Sequence, residues 1–449
     1  MPIFIVVGGI AALLFLITRC KVNAFISLVV VAFAVALILG MPADKIVKSI
    51  ESGIGGTLGH IALIFGLGVM LGRMIFDAGG AQRIAVTLIE KFGEKNVQWA
   101  VLVSSFIIGI ALFFEVGVVL LIPIVITMAR QMKIPVMHLG VPMIAALITA
   151  HGFLPPHPGP TVVAGEYHAE IGKVLIYGVI IAIPSVLLAG PAFTVLSRRI
   201  VPSGFKKVAG MDLTDPGKLS DLTDTPTFPI SMLTAMLPVI LMAGAAIVAI
   251  IRSSYGLADN VAFAVIRFIG DASVAMLISL VFAIYTMGLG RNRSIETIMQ
   301  SCSDAAKSIA MMLLIIGSGG ALKQVFIDGG VGAYLAHLFA GSSTSPLIFA
   351  WSVAAVLRIA LGSATVAAIS TVGLVLPMLA IQQTDLALVT LATGAGSATF
   401  SHVNDAGFWM VKESCGLTVK ETFGTWSLLC AIVSVVGLAG VLALDALIR

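Results

Sequence analysis

The stretch His151-Gly-Phe-Leu-Pro-Pro-His-Pro-Gly-Pro160 constrains the fold of this chain more than any other part. It holds four prolines, yet long apolar runs lie on both sides of it. A helix cannot continue through it, because each proline lacks a backbone N–H and its ring clashes with the preceding turn. In lipid, such interrupted backbone is tolerated only where it is buried in protein or lines a water-filled cavity. A broken polar segment at membrane depth is typical of the cargo site of a transporter.

The composition indicates a polytopic membrane protein. Of the 449 residues, 59% are hydrophobic and only 11% are charged, whereas soluble domains carry about 25% charged residues. The net charge of +4 does not indicate a nucleic-acid partner, because the basic residues lie at the ends of apolar segments rather than in one patch. We therefore expect membrane lipids, and no nucleic acid, around this chain.

The sequence offers no pattern for an enzyme, a cofactor or a metal. The four cysteines form no CxxC pair, and the seven histidines show no HExxH or zinc-type spacing. Gly317-Ser-Gly-Gly320 resembles the turn around a catalytic serine, but no suitable general base accompanies it. A passive channel would need a continuous polar pore, for which the apolar runs carry too few charges. We therefore predict no catalytic residue, no cofactor and no metal site.

The apolar runs predict an all-α membrane protein with ten spans and two hairpins. The stretches 98–130 and 345–380 are interrupted at 113–117 and 362–365, so each is predicted to form a re-entrant hairpin of two half-helices. Two short full spans in each stretch are the alternative. The ten predicted spans are 3–19, 23–40, 57–72, 138–166, 172–197, 229–251, 273–290, 304–321, 386–411 and 424–447.

The two halves of the chain are similar to each other in sequence. Met74-Ile-Phe-Asp-Ala-Gly-Gly80 resembles Val325-Phe-Ile-Asp-Gly-Gly-Val331, and the broken segment 151–160 falls opposite a second broken segment at 400–406. Each half contains five predicted spans and one hairpin, and five is an odd number. The second half must then be inserted upside down relative to the first, which is the inverted-repeat plan of secondary carriers.

These repeats predict the domain limits and the orientation. The first repeat covers 1–198, the second covers 229–449, and a polar cytoplasmic linker at 199–228 joins them. Most of the 26 Lys and Arg residues then fall on one side of the membrane, which the positive-inside rule assigns to the cytoplasm. Both termini are therefore predicted to be periplasmic. The first hairpin opens from the cytoplasm, and the second opens from outside.

Arg358 and Glu115 are charged residues that lie within the two interrupted apolar stretches. An arginine at the depth of Arg358 costs at least ~2.5–3.5 kcal/mol to insert, so it normally has a partner. Either it forms an internal ion pair with Glu115 or Asp405, or its guanidinium binds a substrate carboxylate. Glu115 lies among bulky apolar neighbours, where desolvation favours the protonated carboxyl and makes it a candidate proton carrier. Permanent pairing with Arg358 is the alternative for Glu115.

The broken segments contribute amide, carboxylate and imidazole groups. Asn404 offers both donors and acceptors, which suit the hydroxyls of a sugar-like substrate. Asp405 would repel an anion unless it is protonated or paired, so we interpret it as a coupling or structural group. His151, His157 and His402 either titrate or bind cargo, or are packed histidines with satisfied hydrogen bonds.

The tip of the second hairpin contributes the hydroxyls of Ser363 and Thr365 and free backbone N–H groups. The N-terminus of a half-helix binds carboxylates through these donors and its dipole. Bonding of each hydroxyl to its own turn is the competing account. Asp77 and Asp328 occupy equivalent positions in the two repeats, which fits a cap or hinge better than substrate binding.

Several motifs are similar to those of the gluconate permease family. They include Gly152-Phe-Leu-Pro-Pro-His-Pro-Gly-Pro160, Leu357-Arg-Ile-Ala-Leu-Gly-Ser-Ala-Thr-Val-Ala-Ala368 and Ser401-His-Val-Asn-Asp-Ala-Gly-Phe-Trp409. The resemblance runs over nearly the whole chain. It implies a homodimeric proton symporter that imports gluconate or a related sugar acid across the bacterial inner membrane. It also implies a scaffold domain and a mobile, elevator-type transport domain that carries the two hairpins.

The resemblance leaves the coupling ion and the exact cargo open. Sodium coupling is the alternative on mechanism, and another small hydroxy acid or a D-amino acid is the alternative cargo. Relatives often carry proline where this chain has Ala406. We expect protons to be carried by Glu115, Asp405, His402 or His151, and the substrate to be bound by Arg358, Ser363, Thr365, Asn404, His157 and Thr161.

Overall fold

The structure of the chain, a computed structural model, describes residues 2–206, 222–256, 258, 260–330, 345–380, 382–402 and 405–448. Across these residues the chain is helical and contains no β-strand, so the predicted all-α class is confirmed. Proline and glycine stand at many helix boundaries. Pro42 and Pro135 precede helices, and Gly93 ends one, as expected from the fixed φ of proline and the conformational freedom of glycine.

The first half of the chain forms a continuous series of helices. Short π-helical turns follow the first and the ninth of them. Up to Ile200 the described residues contain ten α-helices, which are α1 (Pro2–Leu14), α2 (Ala24–Ile38), α3 (Ala43–Asp77), α4 (Gly80–Phe92), α5 (Val97–Ala111), α6 (Phe114–Gln131), α7 (Val136–Phe153), α8 (Pro158–Glu166), α9 (Ile171–Leu187) and α10 (Phe193–Ile200).

The second half repeats the order of hairpin, broken helix and long helix. From Phe228 onward the described residues contain eleven α-helices, which are α11 (Phe228–Ser254), α12 (Val261–Ile269), α13 (Ala272–Ala283), α14 (Ile295–Ser308), α15 (Ala310–Asp328), α16 (Pro346–Leu361), α17 (Ala364–Leu379), α18 (Leu386–Ser397), α19 (Ala406–Ser414), α20 (Val419–Thr422) and α21 (Leu428–Ile448).

The number of full-length spans is smaller than the sequence predicts. Among the described residues, six helical segments are long and apolar enough to cross a membrane, and α3, which bends by 43°, is a seventh. The predicted spans 23–40 and 386–411 instead hold helices of 15 and 12 residues. A full span needs about 20 residues. Apolar composition therefore overestimates the number of uninterrupted spans, because it does not register every break in the backbone.

Two pairs of short helices form hairpins. In hairpin 1, α5 and α6 pack against each other around the turn Leu112–Phe113. In hairpin 2, α16 and α17 pack around Gly362 and Ser363. Gly362 has φ of 76°, a left-handed conformation that glycine adopts at little cost. Ser363 then caps α17, and its Oγ accepts from the backbone N–H of Val366 at 3.4 Å.

Two longer helices are interrupted near the centre of the molecule. Helix α7 ends at Phe153, and α8 begins at Pro158 after a four-residue break that includes a cis peptide bond between Pro155 and Pro156. Proline suits the first position of a helix, where its missing N–H leaves no hydrogen bond unmade. The second break lies between α18 and α19, and Asp405 caps the first turn of α19 through Gly407 N at 2.9 Å.

The two broken helices cross at a pair of glycines. A Cβ atom built on Gly394 of α18 would overlap the carbonyl oxygen of Gly152 in α7. The backbones of α7 and α18 are therefore in direct contact, with no side chain between them. This contact brings the break after α7 and the break after α18 into one region of the fold.

Glycines also set the packing of the long helices beside the hairpins. A Cβ atom on Gly53 of α3 would overlap the carbonyl oxygen of Gly320 in α15. Likewise, a Cβ atom on Gly319 of α15 would overlap the side chain of Ile369 in α17. Helices α3, α15 and α17 therefore form a closely packed stack on the side of hairpin 2.

The described end of the predicted linker is fixed to the helices. Arg83 of α4 donates from Nε to Thr225 Oγ1 at 2.9 Å and to the carbonyl of Pro226 at 3.0 Å. It also donates to the carbonyl of Leu222 at 2.6 Å. Residues 207–221 of the linker lie outside the described part of the chain.

Candidate functional site

The tip of hairpin 1 meets the first broken segment at two histidines. The ring of Phe113 lies 6.1 Å from that of His157, and the ring of Phe114 lies 6.3 Å from that of His151. The two imidazole rings are 5.2 Å apart, edge to face. Phe114 also stacks on Trp426 at 5.3 Å. The hairpin tip, the broken segment and the start of the last long helix therefore share one region.

The α5 arm of hairpin 1 holds the side chain of His157 in place. Its side chain is 1% exposed, and its Nε2 lies 2.5 Å from the carbonyl oxygen of Gly109 in α5. A carbonyl oxygen only accepts hydrogen bonds, so Nε2 is the donor. The other ring nitrogen, Nδ1, is buried and has no hydrogen-bond partner among the residues that the structure describes.

Arg358 and Asp405 form an ion pair between hairpin 2 and the second broken segment. The guanidinium donates from Nη2 to Oδ2 of Asp405, and Arg358 is only 3% exposed. The same carboxylate accepts from Ser401 Oγ, and its Oδ1 accepts from Gly407 N. The sequence suggests Glu115 or Asp405 as the ion-pair partner of Arg358. In the structure the partner is Asp405 and not Glu115.

One nitrogen of Arg358 is left without a partner. Its Nε is buried and makes no hydrogen bond to any described residue. Leaving a buried donor unpaired costs about 1–3 kcal/mol. The ion pair with Asp405 therefore does not use the full donor capacity of this guanidinium.

A chain of hydrogen bonds ties Asp405 to the last long helix. Trp426 Nε1 donates to Ser401 Oγ at 2.7 Å, and Ser401 Oγ in turn donates to Asp405. Ser427 Oγ donates to the carbonyl oxygen of Ser401. His402 Nε2 lies 2.7 Å from the carbonyl oxygen of Ile359, so this imidazole is bonded to the arm of hairpin 2. The second broken segment is thus held on two sides.

The remaining predicted binding residues are distributed around this region. Thr161 in the first turn of α8 is 1% exposed, and its hydroxyl has no hydrogen-bond partner within the described chain. Thr365 is half-buried at the start of α17. Ser363 caps that helix, so its hydroxyl is bonded to its own turn, which is the alternative to substrate binding given above. A capping oxygen still has its own proton to donate. Asn404 lies outside the described residues.

The environment of Glu115 differs from the desolvated one that its apolar sequence neighbours predict. It is exposed rather than desolvated, and it lines a cavity of about 350 Å³ beside the tip of hairpin 1. The cavity is bounded by α3 and α14, and Arg73 and Asp304 are the other charged residues in its wall. Phe114 on one side of Glu115 is buried, whereas Glu115 and Val116 both line the cavity.

His151 is a second imidazole beside the tip of hairpin 1. Its ring lies 6.3 Å from that of Phe114 and 5.2 Å from that of His157. Its Nδ1 is buried and makes no hydrogen bond to any described residue. The described residues contain no cluster of three or more His, Cys, Asp or Glu side chains that could hold a metal ion.

A buried ion pair between α8 and α15 is not predicted from the sequence. Glu166 at the end of α8 pairs with Lys323 of α15, and Thr57 of α3 donates to the same carboxylate at 2.5 Å. The two charged side chains are only 11% and 18% exposed. Lys323 lies beyond the predicted span 304–321, so the predicted topology places it at the membrane surface. Its place inside the apolar helix Ala310–Asp328 is the signal that could have identified it.

Comparison with known proteins identifies close relatives over the full length of the chain. A family model described as GntP family permease matches residues 1–448. The gluconate permease of Bacillus subtilis (strain 168) is 62% identical over 445 residues, which cover 99% of each chain. In Escherichia coli (strain K12), a high-affinity gluconate transporter is 49% identical and a Gnt-II system L-idonate transporter is 48% identical, each over 100% of both chains.

Two solved transporter structures share the fold. The YdaH transporter of Alcanivorax borkumensis matches with a TM-score of 0.65 at 16% identity, over 94% of this chain and 97% of that one. MtrF of Neisseria gonorrhoeae matches with a TM-score of 0.66 at 13% identity, over 95% and 96%. At these identities the likeness concerns the fold alone.

Proposed function

This chain belongs to the GntP family of permeases, and we propose that it imports gluconate or a related sugar acid by proton symport. The family consists of transporters, so the prediction that the chain is not an enzyme is confirmed. The observation that carries the proposal is Arg358, a buried guanidinium with an unpaired Nε beside the tip of hairpin 2. Such a group can bind the carboxylate of the cargo in a region that excludes water.

The cargo class follows from the relatives. Relatives that are 62% and 49% identical to this chain are named for gluconate, and one that is 48% identical is named for L-idonate. Both compounds are six-carbon sugar acids, with one carboxylate and several hydroxyls. A site that combines one guanidinium with neutral imidazole and hydroxyl groups suits such a molecule. Arg358, Ser363, Thr365, Asn404, His157 and Thr161 are the residues that we assign to it.

The proton pathway is proposed to start at Glu115. This carboxyl faces the cavity at hairpin 1, and the ring of the preceding residue, Phe114, lies 6.3 Å from that of His151. A proton taken up or released at the cavity is therefore proposed to act on the buried site through the tip of hairpin 1. His402 and Asp405 are the other candidates. Asp405 is the weaker of the two, because its carboxylate is already held by Arg358, Ser401 and Gly407.

The transport movement and the orientation in the membrane are also proposals, and they rest on the order of helices in the two halves of the chain. The equal order of hairpin, broken helix and long helix in the two halves supports two inverted repeats that form a transport domain and a scaffold. We place the protein in the bacterial inner membrane, as a multi-pass homodimer with periplasmic termini and a cytoplasmic linker. The likeness of the fold to two solved transporters is consistent with this proposal.

Two alternatives differ in ion or cargo. Sodium is the alternative coupling ion, since hydroxyl groups and free carbonyls at broken helices can coordinate it. Another small hydroxy acid, or a D-amino acid, is the alternative cargo. Neither alternative changes the assignment to the permease family.

Uptake by reconstituted protein tests the proposal. Purified protein in sodium-free liposomes is given labelled gluconate and an inward proton gradient. We expect accumulation above the external concentration, and an uncoupler should abolish it. Protein-free liposomes and liposomes without the gradient are the controls. Uptake that requires sodium would contradict proton coupling, and accumulation of a different acid without gluconate would contradict the cargo.

A further inference from the structure

The two ends of the candidate site offer opposite kinds of polar atom. At hairpin 2, Arg358 contributes a buried donor, Nε, that has no partner among the residues that the structure describes. The backbone N–H groups of Ala364 and Thr365 belong to the first turn of α17, where a helix has no carbonyls of its own to pair them. Donors and the positive end of the helix dipole suit a carboxylate. This end of the site therefore favours the charged group of the cargo.

The start of α8 offers few donors, although it is also a helix N-terminus. Pro158 and Pro160 have no N–H, and the N–H of Thr161 already donates to the carbonyl of His157 at 3.1 Å. Only Gly159 remains in this turn as a backbone donor. A carboxylate would therefore gain little here, in contrast to the start of α17.

The polar atoms that are available at α8 are an acceptor and a hydroxyl. Because Nε2 of His157 donates to Gly109, the neutral ring presents Nδ1 as a lone-pair acceptor. This atom lies in a side chain that is 1% exposed, and the described residues supply no donor to it. The hydroxyl of Thr161 is equally buried and unpaired within the described residues. Together they match a group that both donates and accepts, which is an alcohol.

From this polarity, and on the basis of the function proposed above, we propose that the cargo binds in one direction. Its carboxylate lies at Arg358 and the tip of hairpin 2, and the hydroxyl at its far end donates to Nδ1 of His157 and accepts from Thr161. His157 is thus the residue that selects a polyhydroxy acid. A dicarboxylate is rejected, because its second carboxylate would face an acceptor, and an acid without that hydroxyl leaves the acceptor unpaired.

A panel of cargo analogues tests this assignment on the full-length protein. Binding to the purified protein is measured for gluconate, for its monodeoxy analogues at each hydroxyl position, and for the dicarboxylate glucarate. We expect at least one deoxy analogue and glucarate to bind about tenfold or more weakly than gluconate, which is the loss expected when a buried acceptor has no donor.

Two substitutions at His157 separate the acceptor from the bond to Gly109. His157→Gln keeps a donor near the position of Nε2 but removes the acceptor. The tenfold preference for gluconate over the deoxy analogue that the wild-type protein binds weakly should therefore disappear. His157→Asn places an amide near the position of Nδ1 and should restore part of that preference. Thr390→Val is the control, because this buried hydroxyl is already paired with the carbonyl of Leu386 at 2.8 Å.

The outcomes distinguish this inference from the function on which it rests. If the wild-type protein binds no sugar acid, the proposed function fails. If it binds gluconate, but every deoxy analogue and glucarate bind equally well, the inference is wrong. The same holds if His157→Gln keeps the wild-type preference. Should the His157 variants not fold, Thr161→Val carries the test: unchanged affinities across the panel would overturn the proposal, and a selective severalfold loss for gluconate supports it.

Discussion

Among single side chains, the role of Arg358 depends on its buried ion pair with Asp405. The guanidinium is buried, and Asp405 neutralises it while also capping α19. A buried pair of this kind adds little net stability, but removal of one partner leaves an uncompensated charge and costs about 3–5 kcal/mol. The Arg358–Asp405 pair is therefore expected to hold hairpin 2 against the second broken segment.

Substitution of Asp405 by Asn tests this connection. We expect Asp405→Asn to lower the thermal unfolding temperature of the purified protein, because Arg358 is left buried without its counter-charge. The double variant Arg358→Gln/Asp405→Asn should be less destabilised than the sum of the two single variants, which a double-mutant cycle measures. Glu413→Gln is the control, since its pair with Lys412 is exposed and such pairs contribute about 0–1 kcal/mol. Additive effects would contradict the pairing.

The position of Ala406 in α19 explains why alanine is suited to this site. It occupies the first position of α19, directly after the cap residue Asp405. Proline, which relatives often carry there, is also well accommodated at the first position of a helix. Either residue is therefore suited to begin α19.

Among the helices, the crossing of α7 and α18 depends on one glycine far more than on the other. A Cβ atom at Gly394 would overlap the carbonyl oxygen of Gly152, whereas a Cβ atom at Gly152 would lie 3.5 Å from Cβ of Ala398. The second distance is an ordinary van der Waals contact. The close approach of the two backbones thus requires glycine at 394 but not at 152.

The pair Gly394→Ala and Gly152→Ala tests the crossing with the same chemical change. Gly394→Ala should separate the helices, lower the unfolding temperature and reduce gluconate uptake, with an overpacking cost of about 1–3 kcal/mol. Gly152→Ala should fold like the wild type, because the added methyl fits and alanine favours a helix by up to about 1 kcal/mol. Equal behaviour of the two variants would contradict the described contact.

The sequence predicts the breaks better than the contacts between them. Pro155 and Pro156 within an apolar run are sufficient to predict an interrupted helix, and Arg358 within another is sufficient to predict a buried partner. The choice of Asp405 over Glu115 depends on how distant helices approach each other, which one sequence does not contain. The exposure of Glu115 likewise depends on the cavity that α3 and α14 leave beside it.

Across the protein, the two hairpins have different surroundings. Hairpin 1 borders the cavity of about 350 Å³. Hairpin 2 packs closely on α15 through Gly319 and Ile369, and the ion pair of Glu166 and Lys323 lies in the same stack. Hairpin 1 therefore borders an open cavity, whereas the α17 arm of hairpin 2 packs directly on α15, and in the proposed orientation we interpret this arrangement as an inward-facing state.

Thiol labelling tests this asymmetry in sealed vesicles. In a variant whose four native cysteines are replaced by serine, Val116→Cys at the cavity wall should react with a membrane-impermeant reagent, because Val116 is 38% exposed. The reagent should reach it from the side of the linker only. Ile369→Cys, which replaces a buried side chain, should not react. Labelling of Val116→Cys from the opposite side, or equal labelling of both variants, would contradict the inward-facing assignment.

The contact between Gly152 and Gly394 has a mechanical consequence. Two helices whose backbones touch, with no side chain between them, have little slack at the crossing. We therefore expect α7 and α18 to move as one unit, so that the helices leading into the two breaks keep their relative position whichever side of the membrane the site faces. Such a movement does not by itself accumulate cargo, and without a second gradient the protein should only equilibrate its cargo across the membrane.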